Sequence, residues 1–230
     1  MSQEAFQTAR EVDRLSRAVI WGEPSIVLEE IRSGKANPNF LYKGRSLLHH
    51  AGERGFKDIA RILIDCGANV DQIYGKQCRS LLHFAAATYR YGFASVLLDA
   101  GANPTPLTTS KSTPLHFSAR MGQEYMSDLL CRHGADIDAQ DSRGRTPVLI
   151  ALKNGHTKLA KQLISLEANP SLADHKGNSP RKVAEKSRRD SWFRNLIYRV
   201  NIQGKLAIQL RSIIGFLSGH FTFGYISLAT

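Results

Sequence analysis

The chain has 230 residues and a formal net charge of +11, from 31 Lys and Arg against 20 Asp and Glu. Its three cysteines, Cys66, Cys78 and Cys131, form no C-x-x-C pair, which excludes a disulfide framework and points to a reducing compartment. Met1–Arg17 alternates charged and polar residues with single apolar ones and holds no apolar leader core, which argues against secretion.

Residues 1–11 form a short N-terminal segment. The first unit, residues 12–40, places Leu15, Ala18, Gly22 and Gly34 in the phase that Leu48, Ala51, Gly55 and Gly67 hold in the second. Units two to four, residues 41–73, 74–107 and 108–140, each carry a copy of one phrase. The copies are Ser46-Leu47-Leu48-His49-His50-Ala51, Ser80-Leu81-Leu82-His83-Phe84-Ala85 and Thr113-Pro114-Leu115-His116-Phe117-Ser118. Their histidines stand 34 and 33 residues apart, and a glycine follows each by 18, at Gly67, Gly101 and Gly134. Thr146-Pro147-Val148 and Ser179-Pro180 carry the phase into units five and six, residues 141–173 and 174–197. Residues 198–230 are unassigned and apolar from 213.

One unit shows the physical logic. In the fourth, Thr113 is placed to cap a helix with its hydroxyl, and Pro114 takes the first helical position, where no amide proton is needed. Leu115, Phe117 and Ala119 follow, and Gly122 ends this short helix. A second helix over Glu124–His133 carries Met126, Leu129 and Leu130 at helical spacing, an apolar stripe for the next unit. Gly134 supplies the positive φ of a helix end. The third unit has one extra residue in Asp71–Arg79, which predicts a longer hairpin with Gly75 in its turn. The fifth has Leu149 for His and Glu167 for Gly. The sixth has Arg181 and Lys182 in place of Leu and His, which suits an end unit facing water.

A period of about 33 residues built on T-P-L-H-x-A resembles the ankyrin repeat. The resemblance implies an all-α solenoid of about six helix-turn-helix units with β-hairpin loops over residues 12–197. It implies a binding module or adaptor for a protein partner, with hairpin tips and the exposed ends of the first helices lining one concave face. It also assigns His49, His83 and His116 to hydrogen bonds that tie adjacent hairpin loops together, whereas a metal site would need ligands converging on one centre. No Cys/His pair has metal-ligand spacing, and no Walker-type loop, G-x-S-x-G or H-E-x-x-H occurs, so neither enzyme, metal nor cofactor is expected.

Mapped by phase, the tips carry Lys43, Arg45, Lys76, Arg79, Lys111, Arg143, Arg145, His175 and Lys176. The first-helix ends carry Arg54, Arg120, Lys153 and Lys186. That is twelve Lys or Arg against one acid, Glu53, with Asp141 taking a turn role. Tyr42, Tyr74 and Trp21 are the aromatic candidates near the groove. A solvated basic face is the bland alternative. The functional expectation is an acidic protein partner held by a chain that is a monomer within its complex. Nucleic acid is the weaker choice, because base stacking needs interleaved aromatics.

Two features pull elsewhere. The cluster Arg181-Lys182 with Lys186-Ser187-Arg188-Arg189 resembles a nuclear-import signal, so a nuclear regulator contacting a transcription factor or chromatin competes with a cytoplasmic adaptor. Ile213–Thr230 has no charged residue over 18 positions, the lower limit for a membrane-spanning helix, so a tail-anchored scaffold is another alternative. A targeting subunit of a larger enzyme complex is the last.

Overall fold

The computed structural model describes residues 14–34 and 36–186, with backbone alone at 185 and 186. Among these residues, five helix pairs and the first helix of a sixth stack in chain order. The first helices of the pairs are α1 (14–21), α3 (Leu47–Arg54), α5 (Leu81–Ala87), α7 (Pro114–Met121), α9 (Pro147–Lys153) and α11 (Pro180–Lys186). The second helices are α2 (Pro24–Arg32), α4 (Lys57–Asp65), α6 (Tyr91–Asp99), α8 (Glu124–Arg132) and α10 (Thr157–Ser165).

Each first helix from α3 onward starts the same way. The hydroxyls of Ser46, Ser80, Thr113 and Thr146 accept from the backbone N–H three residues on, at 3.2, 3.4, 3.4 and 3.3 Å. Ser179 repeats this with the N–H of Lys182 at 3.2 Å. Such a cap satisfies an otherwise orphaned donor and is worth about 1 kcal/mol. At the far end of the units, Gly34, Gly67, Gly101 and Gly134 take positive φ between 71° and 88°, and Glu167 is forced to 71° in the same position.

Two β-hairpins are formed. β1 (Leu41–Tyr42) pairs with β2 (Arg45–Ser46) across a two-residue turn, with Lys43 at φ 51° and Gly44 at φ 74°. Positive φ at both central residues is the turn whose twist matches paired strands. β3 (Ile73–Tyr74) pairs with β4 (Arg79–Ser80) across four residues, with Gly75 and Cys78 both at positive φ. The extra residue of the third unit is thus housed in its hairpin.

The core is one continuous apolar seam. Leu48, Leu82, Leu115 and Val148 recur in phase and are buried, facing Ile59, Leu63, Leu97, Met126, Leu130 and Leu163 from the second helices. Burying each such side chain stabilises the stack by about 1.5–3 kcal/mol. Leu129 and Phe117 are only half-buried. Both pack against the edge of the seam, and Phe117 also borders the groove beside Arg79 and Arg120.

Candidate binding face

The repeat histidines divide into two kinds. His83 accepts from the Ser80 N–H at Nδ1 and donates from Nε2 to the Ser112 carbonyl of the next unit, at 3.1 and 2.8 Å. His116 repeats this with the Thr113 N–H and the Arg145 carbonyl, at 3.1 and 2.9 Å. His49 does not. Its Nδ1 is buried with no hydrogen-bond partner, and its Nε2 lies 3.5 Å from Glu53. The rings of Tyr74 and Phe84 close over it at 4.5 and 4.7 Å. The longer hairpin of unit three has changed what this histidine meets. Burial drives the imidazoles of His49 and His83 down to about 4 and lowers that of His116, so all three are neutral at pH 7. Among the described residues no cluster of His, Cys, Asp and Glu could hold a metal ion.

These rings belong to the floor of the groove. Tyr42 meets His50 edge-on at 5.6 Å, and His50 Nε2 bonds the Tyr42 carbonyl at 3.0 Å. Tyr74 is half-buried, and burial pushes its phenol up to about 12. Further along, the guanidinium of Arg79 lies 5.3 Å from the Phe117 ring and that of Arg120 lies 5.6 Å from it. Trp21 stands at the end of α1, 75% exposed, over a hollow it shares with Arg14 and Ile26.

The charges on this face are fewer than their number in the chain. Arg45 is bonded to Glu53. Arg145 places Nε and Nη2 on Asp141 Oδ2 at 2.8 and 2.5 Å. Lys153 bonds Asp174 at 2.7 Å. Burial opposes the Asp174 charge, but Lys153 and Asn178 outweigh it and hold the carboxyl down at about 2. Asp141 is lowered in the same way, with Arg145 and backbone N–H groups outweighing its burial. Lys43, Arg54, Lys76, Arg79, Lys111, Arg120, Arg143 and Lys176 have no carboxylate partner among the described residues. Arg79 is half-buried, with its Nε unbonded, and the others are exposed. The Lys186 side chain lies outside the described residues.

Between units four and five the face deepens into a hollow of about 460 Å³ under the hairpin tips. Ser110 and Ser142 form its rim, joined by the Ser142 N–H on the Ser110 carbonyl at 2.9 Å. Arg120 of α7 and Asn154 at the end of α9 form its lower wall.

Sequence reasoning missed an aromatic cluster on the opposite edge of the stack. Tyr89 and Tyr125 are 49% and 62% exposed, and Tyr91 lies between them edge-on to both rings. The signal was present. Tyr89 occupies the φ 60° position that Gly55 and Gly122 hold in the neighbouring units, anchored by its hydroxyl on the Met121 carbonyl at 3.2 Å.

The family description for ankyrin repeats in three copies matches residues 15–108, 82–174 and 115–203. The chain belongs to the ankyrin-repeat family. Arrays of this family are protein-interaction modules. Within it, this ankyrin-repeat chain is 46% identical over 56 residues to mouse ARF GTPase-activating protein GIT2. That match covers 24% of this chain and 8% of the relative. It is 41% identical over 69 residues to mouse Rabankyrin-5, covering 30% of this chain and 6% of the relative. Against the fruit-fly ARF GTPase-activating protein Git it is 42% identical over 53 residues, covering 23% and 7%. These matches span less than a tenth of each relative's length.

The import-like basic cluster lies partly outside the described residues, and the apolar segment from 213 lies wholly outside them. Among the described residues no helix is long and apolar enough to cross a membrane.

Proposed function

We propose that this chain is a non-catalytic binding module that holds an acidic segment of a protein partner across its concave face. The observation that carries the reading is the row of cations left without carboxylates, Lys43, Lys76, Arg79, Arg120 and Arg143, above a floor of Tyr42, Phe84 and Phe117. Arg and aromatic side chains together are the composition of strong interface anchors. Complementary charge steers encounter and rejects basic partners. A labelled peptide of alternating Glu and Gly tests this by fluorescence anisotropy. Saturable binding that weakens between about 0.05 and 0.5 M salt is expected, because exposed charges are screened. The combined Lys43→Glu, Lys76→Glu, Arg120→Glu and Arg143→Glu variant should lose the binding with its melt nearly unchanged. Binding that ignores salt, or persists in that variant, overturns the reading. The likeness to two GTPase-activating proteins favours one second reading, in which the same face targets a larger enzyme complex.

A further inference from the structure

The geometry points to the hollow between units four and five as a seat for a phosphorylated serine or threonine of the partner. This inference rests on the reading of the concave face as a holder of acidic segments and names the acidic group that fits best.

The hollow holds one carboxylate, and that carboxylate is already engaged. Asp141 is buried; its Oδ1 accepts from the N–H groups of Arg143 and Arg145, each at 2.9 Å. Its Oδ2 takes both donors of the Arg145 fork. The pair is internally neutral and holds the hairpin in shape. What remains is Arg143 above and Arg120 below, two guanidinium groups with no carboxylate partner among the described residues. The Ser142 hydroxyl, on the rim, has no hydrogen bond within the described residues, and Ser110 is joined to the hydroxyls of Thr108 and Ser112 at 3.1 and 3.2 Å. The Asn154 amide gives one N–H to the Ile150 carbonyl at 2.8 Å and keeps the other.

Counting donors decides between the acidic groups. A carboxylate has two oxygens and one charge, which a single guanidinium fork satisfies. A phosphoryl group brings about −1.5 to −2 charge at pH 7 and three acceptor oxygens. Two forks, the Ser142 hydroxyl and the remaining Asn154 N–H match the phosphoryl group and leave donors idle around a carboxylate. Guanidinium is also the cation suited to planar, bidentate recognition of phosphate. Phe117 lies beside the hollow, under Arg79 and Arg120, and offers an apolar rest for the chain that leads to the phosphorylated residue.

The test uses the full chain and four versions of one flexible peptide, with Ser, phosphoserine, Glu or Asp at its centre. Anisotropy should show the phosphoserine peptide binding at least about tenfold tighter than the Glu peptide. The Arg120→Gln, Arg143→Gln variant should bind the phosphoserine and Glu peptides equally. On titration of the native protein with the phosphoserine peptide, the amide signals of Ser110, Ser142 and Arg143 should move. Equal affinity for the phosphoserine and Glu peptides overturns this inference while the acidic-face reading stands. Failure of all the charged peptides overturns this inference, and failure of the alternating Glu and Gly peptide as well overturns both. If inorganic phosphate displaces the phosphoserine peptide at the same concentration as the unlabelled peptide itself, the hollow is a site for the free anion and the peptide proposal falls.

Discussion

His83 and His49 hold the same phase of successive units, yet their replacement should have unequal effects. Removing His83 strands the Ser80 N–H inside the stack and leaves the Ser112 carbonyl with the Thr108 N–H alone, and an unsatisfied buried group costs about 1–3 kcal/mol. His83→Leu should therefore lower the denaturant midpoint clearly. His49→Leu strands no backbone group, and the fifth unit already carries a buried Leu149 there, so its effect should be within about 1 kcal/mol. Equal losses in the two variants would show that the ring itself, rather than its hydrogen bonds, holds the loops. The histidines also set a pH dependence. All three have folded values below 6.5, and His49 and His83 sit at about 4, so the unfolded chain binds more protons throughout that interval. Stability should be full above pH 6.5 and decline as pH falls towards 4, by about 1.4 kcal/mol for each unit of depression realised. Urea midpoints measured across that range check the sign, and a midpoint that rises on acidification would contradict it.

Helix ends and helix crossings control stability at the next scale. Glu167 sits at φ 71° where four other units have glycine. An L-residue there is strained by about 1–2 kcal/mol. Glu167→Gly should thus stabilise the protein by up to about 1 kcal/mol, the rest being lost to the freer unfolded chain. The opposite change is instructive at Gly52, in the middle of α3. Alanine is the better helix former by about 1 kcal/mol. Yet a methyl group on Gly52 would clash with the edge of the Phe93 ring of the next unit. Gly52→Ala should destabilise by about 1–3 kcal/mol, because overpacking outweighs propensity. Leu82→Ala, in the apolar seam, should cost about 2–5 kcal/mol. Thermal melts of the three variants, ranked against the native chain, separate these effects.

Across the whole molecule, what could be read from the sequence was what repeats. Capping hydroxyls, proline starts, seam leucines and glycine ends recur at one period, because each unit must meet the next in the same way. Pairings specific to one place left no such trace. Lys153 meets Asp174 across 21 positions, and the buried Asp141 holds Arg145 with one oxygen while its other serves the turn. The groove charge counted along the chain was therefore larger than the charge left without carboxylate partners in three dimensions. The same contrast between repeated and singular contacts marks where the stack should open first. Hairpin rungs join unit three to four through Thr109 and Gln77, four to five through Ser142 and Ser110, and five to six through His175 and Arg143. Among the described residues no such rung joins the hairpins of units two and three, and the His49 bond is missing there too. Inner helix α3 also packs on α5 far less than α5 packs on α7. That junction keeps the bond from Arg90 to the Glu53 carbonyl and the one from the Asn103 N–H to Asp71, at 2.7 and 3.0 Å. A repeat array is held by the sum of its nearest-neighbour interfaces, so it separates at the weakest of them. Native-state hydrogen exchange should show the amides of α3 and α4 opening at lower free energy than those of α7 and α8. Lengthwise uniform protection would mean that the aromatic packing of His49, Tyr74, Phe84 and Phe93 makes up for the missing rungs.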